Sequence, residues 1–136
     1  MSGIVVTPSG NLIFADYNND RIRMMPKVDG TYYGISMTAN HIYSVPFGSY
    51  YAMGIAGDSS GNVFVAEPYS NLIRKIAPDG TKTVVVGTGE VGFSGDGGPA
   101  TSAEVYYPTN VAVDASGNLF ITDLGNTALR KGVAQY

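Results

Sequence analysis

The chain has 136 residues, with Lys+Arg 8 against Asp+Glu 11 and a formal net charge of -3, a length that fits one domain. Hydrophobic residues make up 44% and charged residues 14%, which excludes a disordered, solvated chain, and so few cations exclude the basic face that nucleic acid requires. There is no Cys, so a disulfide framework, a thiolate nucleophile and a Cys-ligated zinc are excluded as well. No apolar run approaches the roughly 20 residues of a membrane helix. Met1-Ser2-Gly3-Ile4 lacks the basic and apolar regions of a signal peptide, and none is expected there. Neither nucleic acid nor membrane is an expected partner.

In chain order, Ile4-Val5-Val6 is predicted as a short buried strand. Thr7-Pro8-Ser9-Gly10-Asn11 carries hairpin chemistry: a side chain that accepts backbone N–H groups, then a glycine able to take positive φ. Leu12–Ala15 follows as a second strand and Arg21-Ile22-Arg23 as a half-exposed third. After an insertion around Tyr32-Tyr33-Gly34, His41–Val45 is predicted as the fourth strand. The order then recurs: Ile55-Ala56, the turn Asp58–Asn62, Val63–Ala66, Leu72–Ile76, the turn Pro78-Asp79-Gly80 and a strand over Thr83–Val86. It begins a third time with Val111–Val113, Asp114–Asn118, Leu119–Thr122 and Ala128–Lys131. Nothing reads as a long helix.

Segments Gly3–Met25, Gly54–Ile76 and Asn110–Gly132 therefore align without a gap. Their Ser-Gly-Asn triplets end at Asn11, Asn62 and Asn118, spaced 62−11=51 and 118−62=56 residues apart. Five residues on stands an acid, Asp16, Glu67 or Asp123, and twelve on an arginine, Arg23, Arg74 or Arg130. Four-stranded antiparallel units at this period, with little helix, predict an all-β chain of β-propeller blades. The expected units are 3–50, 51–107 and 108–136, two full blades and most of a third. Propellers close with about four to eight blades, so these residues are too few for a ring. Either they belong to a longer protein, or two copies associate to complete six blades.

The run from Pro108 to Lys131, with Val111-Ala112-Val113-Asp114, Gly117-Asn118-Leu119-Phe120-Ile121, Asp123, Asn126 and Leu129-Arg130-Lys131, resembles the NHL-repeat family of propellers. Glu67 replaces the usual acid of the pattern in the second unit, and Thr7 replaces an Asp in the first. Ser94-Gly95-Asp96-Gly97-Gly98-Pro99-Ala100-Thr101-Ser102-Ala103 is similar to the interblade linker of a bacterial branch and of the teneurins. The resemblance implies a fold and not one chemistry, because the family spans binding scaffolds, extracellular proteins, lyases and hydrolases. It also implies about six blades, and a weak lean to an exported location.

Each candidate for chemistry has a plainer reading. Gly87-Thr88-Gly89-Glu90-Val91-Gly92 fits a dinucleotide pattern, but Phe93–Pro99 cannot open the helix that a pyrophosphate needs. No cofactor is expected. The acid–arginine pairs Asp16/Arg23, Glu67/Arg74 and Asp123/Arg130 face each other across a turn and are expected to fix each blade. As exposed pairs they would contribute about 0–1 kcal/mol. Asp96 among glycines has too few neighbouring oxygens for calcium and is expected to accept backbone N–H groups of the linker. His41 is the one histidine, short of a zinc set and with no nucleophile elbow to serve, so no metal or catalytic residue is expected.

What remains is recognition. Tyr32, Tyr33, Phe93, Asp96, Tyr106 and Tyr107 lie in the segments that join strands and blades, where residues vary without disturbing sheets, and aromatic anchors suit protein or glycan ligands. The expectation is a non-enzymatic binding module that uses one propeller face and associates with itself. The rival expectation is part of a lyase or hydrolase whose catalytic blades lie elsewhere.

Overall fold

The computed structural model describes residues 3–48 and 51–133; Tyr50 and the last three positions of the third predicted unit lie outside them. Blade 1 is a four-stranded antiparallel sheet in the order β1 (Ile4–Val6), β2 (Leu12–Asp16), β3 (Arg21–Met25) and β6 (Tyr43–Ser44). Between β3 and β6, β4 (Gly30–Tyr32) and β5 (Ile35–Met37) form a separate hairpin. Blade 2 repeats the meander with β7 (Ile55–Gly57), β8 (Val63–Glu67), β9 (Leu72–Ile76) and β10 (Lys82–Val86). Blade 3 has β11 (Pro108–Val113), β12 (Leu119–Asp123) and β13 (Ala128–Gly132) among the described residues.

Two sequence expectations change here. The insertion at Tyr32-Tyr33-Gly34 is itself a hairpin: Tyr32 pairs with Ile35, and Tyr33 and Gly34 take φ of 51° and 80°, which is type I′ geometry. The fourth strand of blade 1 is only Tyr43–Ser44, opposite Met24 and Arg23. Asn40 at φ 62° and the bond from His41 N to Thr38 O close a turn over Ala39 and Asn40 that leaves His41 and Ile42 outside the strand, and Pro46 cannot donate to a ladder.

The first turn of each blade is built as the repeat demands. Asp58 Oδ1 accepts from the backbone N–H of Ser60 and Asn62 while its Oδ2 accepts from Asn62 Nδ2. Asp114 does the same with Ser116 and Asn118. In blade 1, Thr7 offers one oxygen, to Asn11 N, and Asn11 Oδ1 turns to accept from Lys27 N instead.

Alternation along the strands gives every blade two apolar faces. The back face of blade 1, with Ile13, Ile22 and Met24, packs on the front face of blade 2, with Ile55, Val63, Val65 and Ile76. The back face of blade 2, with Phe64, Ala66 and Ile73, packs in turn on Val111, Leu119 and Ile121 at the front of blade 3. Burial of each such side chain contributes about 1.5–3 kcal/mol. The first strands of successive blades meet closely. A Cβ on Gly3 would lie 2.6 Å from Ile55 N, and one on Gly54 would lie 2.5 Å from Asn110 Cα, so both positions need glycine.

Two ends follow from this topology. The turns Thr7–Asn11, Asp58–Asn62 and Asp114–Asn118 lie at one end of the blades. At the other lie the 3-10 turns Tyr17–Asn19, Pro68–Ser70 and Leu124–Asn126, together with the segments that enter each new blade.

Candidate functional site: the acid–arginine pairs and the tyrosine row

The acids close the second strand of each blade and the arginines lie two residues into the third, so the hairpin between them brings both to one face. In blade 1, Arg23 Nε sits 2.9 Å from Asp16 Oδ2, without the alignment of a hydrogen bond, and Asn19 Nδ2 donates to that oxygen. In blade 2, the longer Glu67 receives Arg74 through both oxygens, at 2.9 and 3.1 Å. In blade 3, Asp123 Oδ2 accepts from Arg130 Nη1 and Asn126 Nδ2, and Asp123 Oδ1 accepts from Tyr106 N. Glu67 and Asp123 are buried, so the expectation of exposed, weakly contributing pairs holds for neither. Their strands end inside the stack of blades, where separated charges would be costly.

Arg130 is the hub of the linker before blade 3. Its Nη1 donates to Glu104 O at 2.6 Å, and its Nη2 to Ser94 O and Asp96 Oδ1, both at 2.7 Å. Its guanidinium carbon lies 4.8 Å from the centre of the Phe93 ring. Asp96 is thus held by a guanidinium, in place of the backbone donors expected from sequence. Phe93 and Asp96 both contact Arg130 in ordering this segment and remain exposed. A cleft of about 390 Å³ between the linker and blade 3 is lined by this same Arg130 and Asp96. Among the described residues, no three His, Cys, Asp or Glu side chains come together as a metal site.

The six residues predicted as one binding face do not share a face. Tyr32 and Tyr33 belong to the β4–β5 hairpin and lie beside Thr7, Pro8 and Ser60, at the end of the first turns. The Tyr32 hydroxyl donates to Val28 O, and Tyr33 meets the Phe47 ring edge to face at 4.6 Å, its hydroxyl pKa raised by burial. Tyr106 and Tyr107 lie at the opposite end, beside the 3-10 turns. Tyr106 covers Gly125, and Tyr107 N donates to Asn71 Oδ1 at 2.9 Å. His41 is exposed, with Nδ1 3.0 Å from Ala39 O.

At the 3-10 end a row of rings runs across the three blades. Tyr17 meets Tyr51 at 5.6 Å, Tyr51 meets Tyr69 at 5.7 Å and Tyr69 meets Tyr107 at 5.4 Å, all edge to face. The Tyr17 and Tyr69 hydroxyls are 3.4 Å apart. Hydrogen bonding with Tyr69 pushes the Tyr17 pKa up to about 12, and the same bond lowers that of Tyr69. Blade entry positions this row. Asp20 and Asn71, each in the left-handed conformation after its 3-10 turn, accept the backbone N–H of Tyr51 and Tyr107. Tyr17 and Tyr69 are missed by sequence reasoning. Their signal was position: both fall in the polar turn six and seven residues after the repeat Asn, in the segment that Tyr51 and Tyr107 approach.

No family model matches the chain. It is 31% identical to Protein SUPPRESSOR OF QUENCHING 1, chloroplastic, of Arabidopsis thaliana, over 57% of this chain and 7% of that protein. It is 32% identical to mouse (Mus musculus) Teneurin-1, over 58% of this chain and 3% of that protein. Among solved structures, a Bacteroides thetaiotaomicron protein of unknown function superposes with a TM-score of 0.65 at 18% identity, over 90% of this chain and 32% of that one. A streptogramin B lyase matches at 0.59 and 15%, over 97% and 40%, and a chain of a nidogen/laminin complex at 0.58 and 18%, over 95% and 46%. The chain spans less than half of each solved structure and under a tenth of each curated relative. These likenesses and the sheet topology make it an all-β array of propeller blades.

Proposed function

We propose that the chain is a non-enzymatic recognition module of NHL-repeat type, which binds a protein or glycan at the 3-10 end of its blades. The observation that carries this reading is the row Tyr17, Tyr51, Tyr69 and Tyr107, contiguous across three blades and with Tyr51 and Tyr69 exposed. Tyrosine joins a rigid apolar ring to a polar tip, the combination that anchors interfaces at low entropic cost. The buried ionisable groups Glu67 and Asp123 are paired with Arg74 and Arg130 and hold the blades and linker together. The reading includes an exported setting, which rests on the likeness of the linker to exported relatives.

The test is a glycan microarray and an ectodomain display screen, run with the native chain and with Tyr51→Ser/Tyr69→Ser. A ligand bound by the first and lost by the second, at unchanged circular dichroism, supports the reading. A ligand retained by the double variant sinks the assignment to this face.

A further inference from the structure

The tyrosine row also holds a reactive pair. The oxygens of Tyr17 and Tyr69 are 3.4 Å apart, although the two residues stand in different blades and 69−17=52 residues apart in sequence. Equivalent turns bring them together: Tyr17 opens the 3-10 turn of blade 1, and Tyr69 sits at the centre of the matching turn of blade 2, next to the buried Pro68. The Tyr51 ring contacts both, at 5.6 Å from one and 5.7 Å from the other. Tyr69 is 62% exposed, which opens its ring to a soluble oxidant and leaves it room to turn onto its partner. The bond with Tyr17 lowers the Tyr69 pKa, and a phenol that sheds its proton more readily gives up an electron more readily. With no Cys in the chain, oxidation has no thiol pair to join.

We propose that the Tyr17–Tyr69 pair is an oxidative cross-linking site, at which a haem peroxidase and hydrogen peroxide join blades 1 and 2 through a dityrosine bond. Each phenol loses one electron and its hydroxyl proton. The two radicals couple through a ring carbon beside each oxygen, and the hydrogens on those carbons move to the oxygens to restore both phenols. The two electrons and two protons released reduce one peroxide to two waters. The hydroxyl contact brings the oxygen ends of the two rings together, and the reactive carbons flank those oxygens. At low micromolar concentration coupling within the chain outruns coupling between chains, because the fold holds the partners at a far higher effective concentration. The bond closes a loop across two blades and removes freedom from the unfolded chain, as a disulfide does. This chemistry needs no ligand on the row.

The test is oxidation of the intact chain at low micromolar concentration by a haem peroxidase and hydrogen peroxide. Dityrosine fluorescence, intact mass and tryptic mapping follow it, and trypsin places Tyr17, Tyr69 and Tyr107 on separate fragments. The expected product is a chain of single mass, lighter by two hydrogens, whose linked fragments carry Tyr17 and Tyr69. Its Tm should rise by on the order of 10 °C. Tyr69→Phe keeps the ring and should lose most of the fluorescence at unchanged circular dichroism. Tyr106→Phe, at an exposed ring that covers Gly125, should leave it unchanged. Oxidation in urea should lose the linked pair, since unfolding separates its two halves. Links that run only between chains overturn the proposal, as do links in which Tyr51 or Tyr107 takes the place of Tyr17. So does a yield that survives Tyr69→Phe, or one in urea equal to that of the folded chain.

Discussion

Asp123 accepts a hydrogen bond from Arg130 at 3.1 Å, and through that arginine a carboxylate at the end of one strand holds the linker that delivers its own blade. Asp123 is buried and fully paired, with Tyr106 N and Asn126 as further donors. Removing it leaves the Tyr106 N–H without its acceptor and takes one of two carboxylates from Arg130, which keeps Asp96 and the carbonyls of Ser94 and Glu104. Asp123→Ala is therefore expected to cost about 1–3 kcal/mol, whereas Asp16→Ala in blade 1, whose pair is half-exposed, should cost about 0–1 kcal/mol. Urea denaturation of the two variants checks the ranking. Equal losses would mean that burial does not set the strength of these pairs.

Thr127 follows the third 3-10 turn with φ 53°, a left-handed conformation that suits Gly or Asn and strains a β-branched residue. Asp20 and Asn71 hold the same place in blades 1 and 2. Thr127→Asn should stabilise the chain by about 0.5–1 kcal/mol, read as a rise in Tm. A fall would show that the threonine makes up for its strain through contacts of its own.

The tyrosine row should be visible in an alkaline titration. One phenol is expected to ionise late, near 12, because the Tyr17 hydroxyl is bonded to Tyr69. A raised pKa means that the bond stabilises the fold fully below the ordinary tyrosine range and that this contribution is lost as pH climbs through the raised value. Tyrosinate absorbance followed against pH should lose its late component in Tyr69→Phe. An unchanged curve would remove the hydrogen bond as the cause.

Acid acts at two of the hairpin turns. Hydrogen bonds from the Asn118 side chain, then from its backbone, lower the pKa of Asp114. Backbone and side-chain bonds from Thr81 do the same for Asp79. With depressed values, both carboxylates contribute stability above the unfolded-state pKa of about 3.9, and that contribution is lost as pH falls through the folded one. Melting temperature between pH 5 and pH 2 should therefore fall less steeply in Asp114→Asn than in the native chain. Parallel profiles would rule the turn out as an acid-sensitive point.

The repeated Ser-Gly-Asn, the acid five residues on and the arginine twelve on were enough, by themselves, to determine blades, their order and most strand positions. That much is local: a period-two pattern and a glycine turn specify a hairpin wherever they occur. The fourth strand of blade 1 escaped the pattern because a turn at Asn40 and Pro46, rather than hydrophobicity, sets its length. Which aromatic residues share a surface was decided only in three dimensions. Tyr32 and Tyr107 look alike as loop residues in the chain, yet strand direction sends them to opposite ends. Tyr17 and Tyr107 stand 90 residues apart in sequence (107−17=90) and belong to one row, because stacked blades bring the same end of each sheet together. Burial was decided there too: Ile4, Ile55 and Val111 are the same position in sequence, and only the presence or absence of a neighbouring blade separates the exposed one from the two in the core.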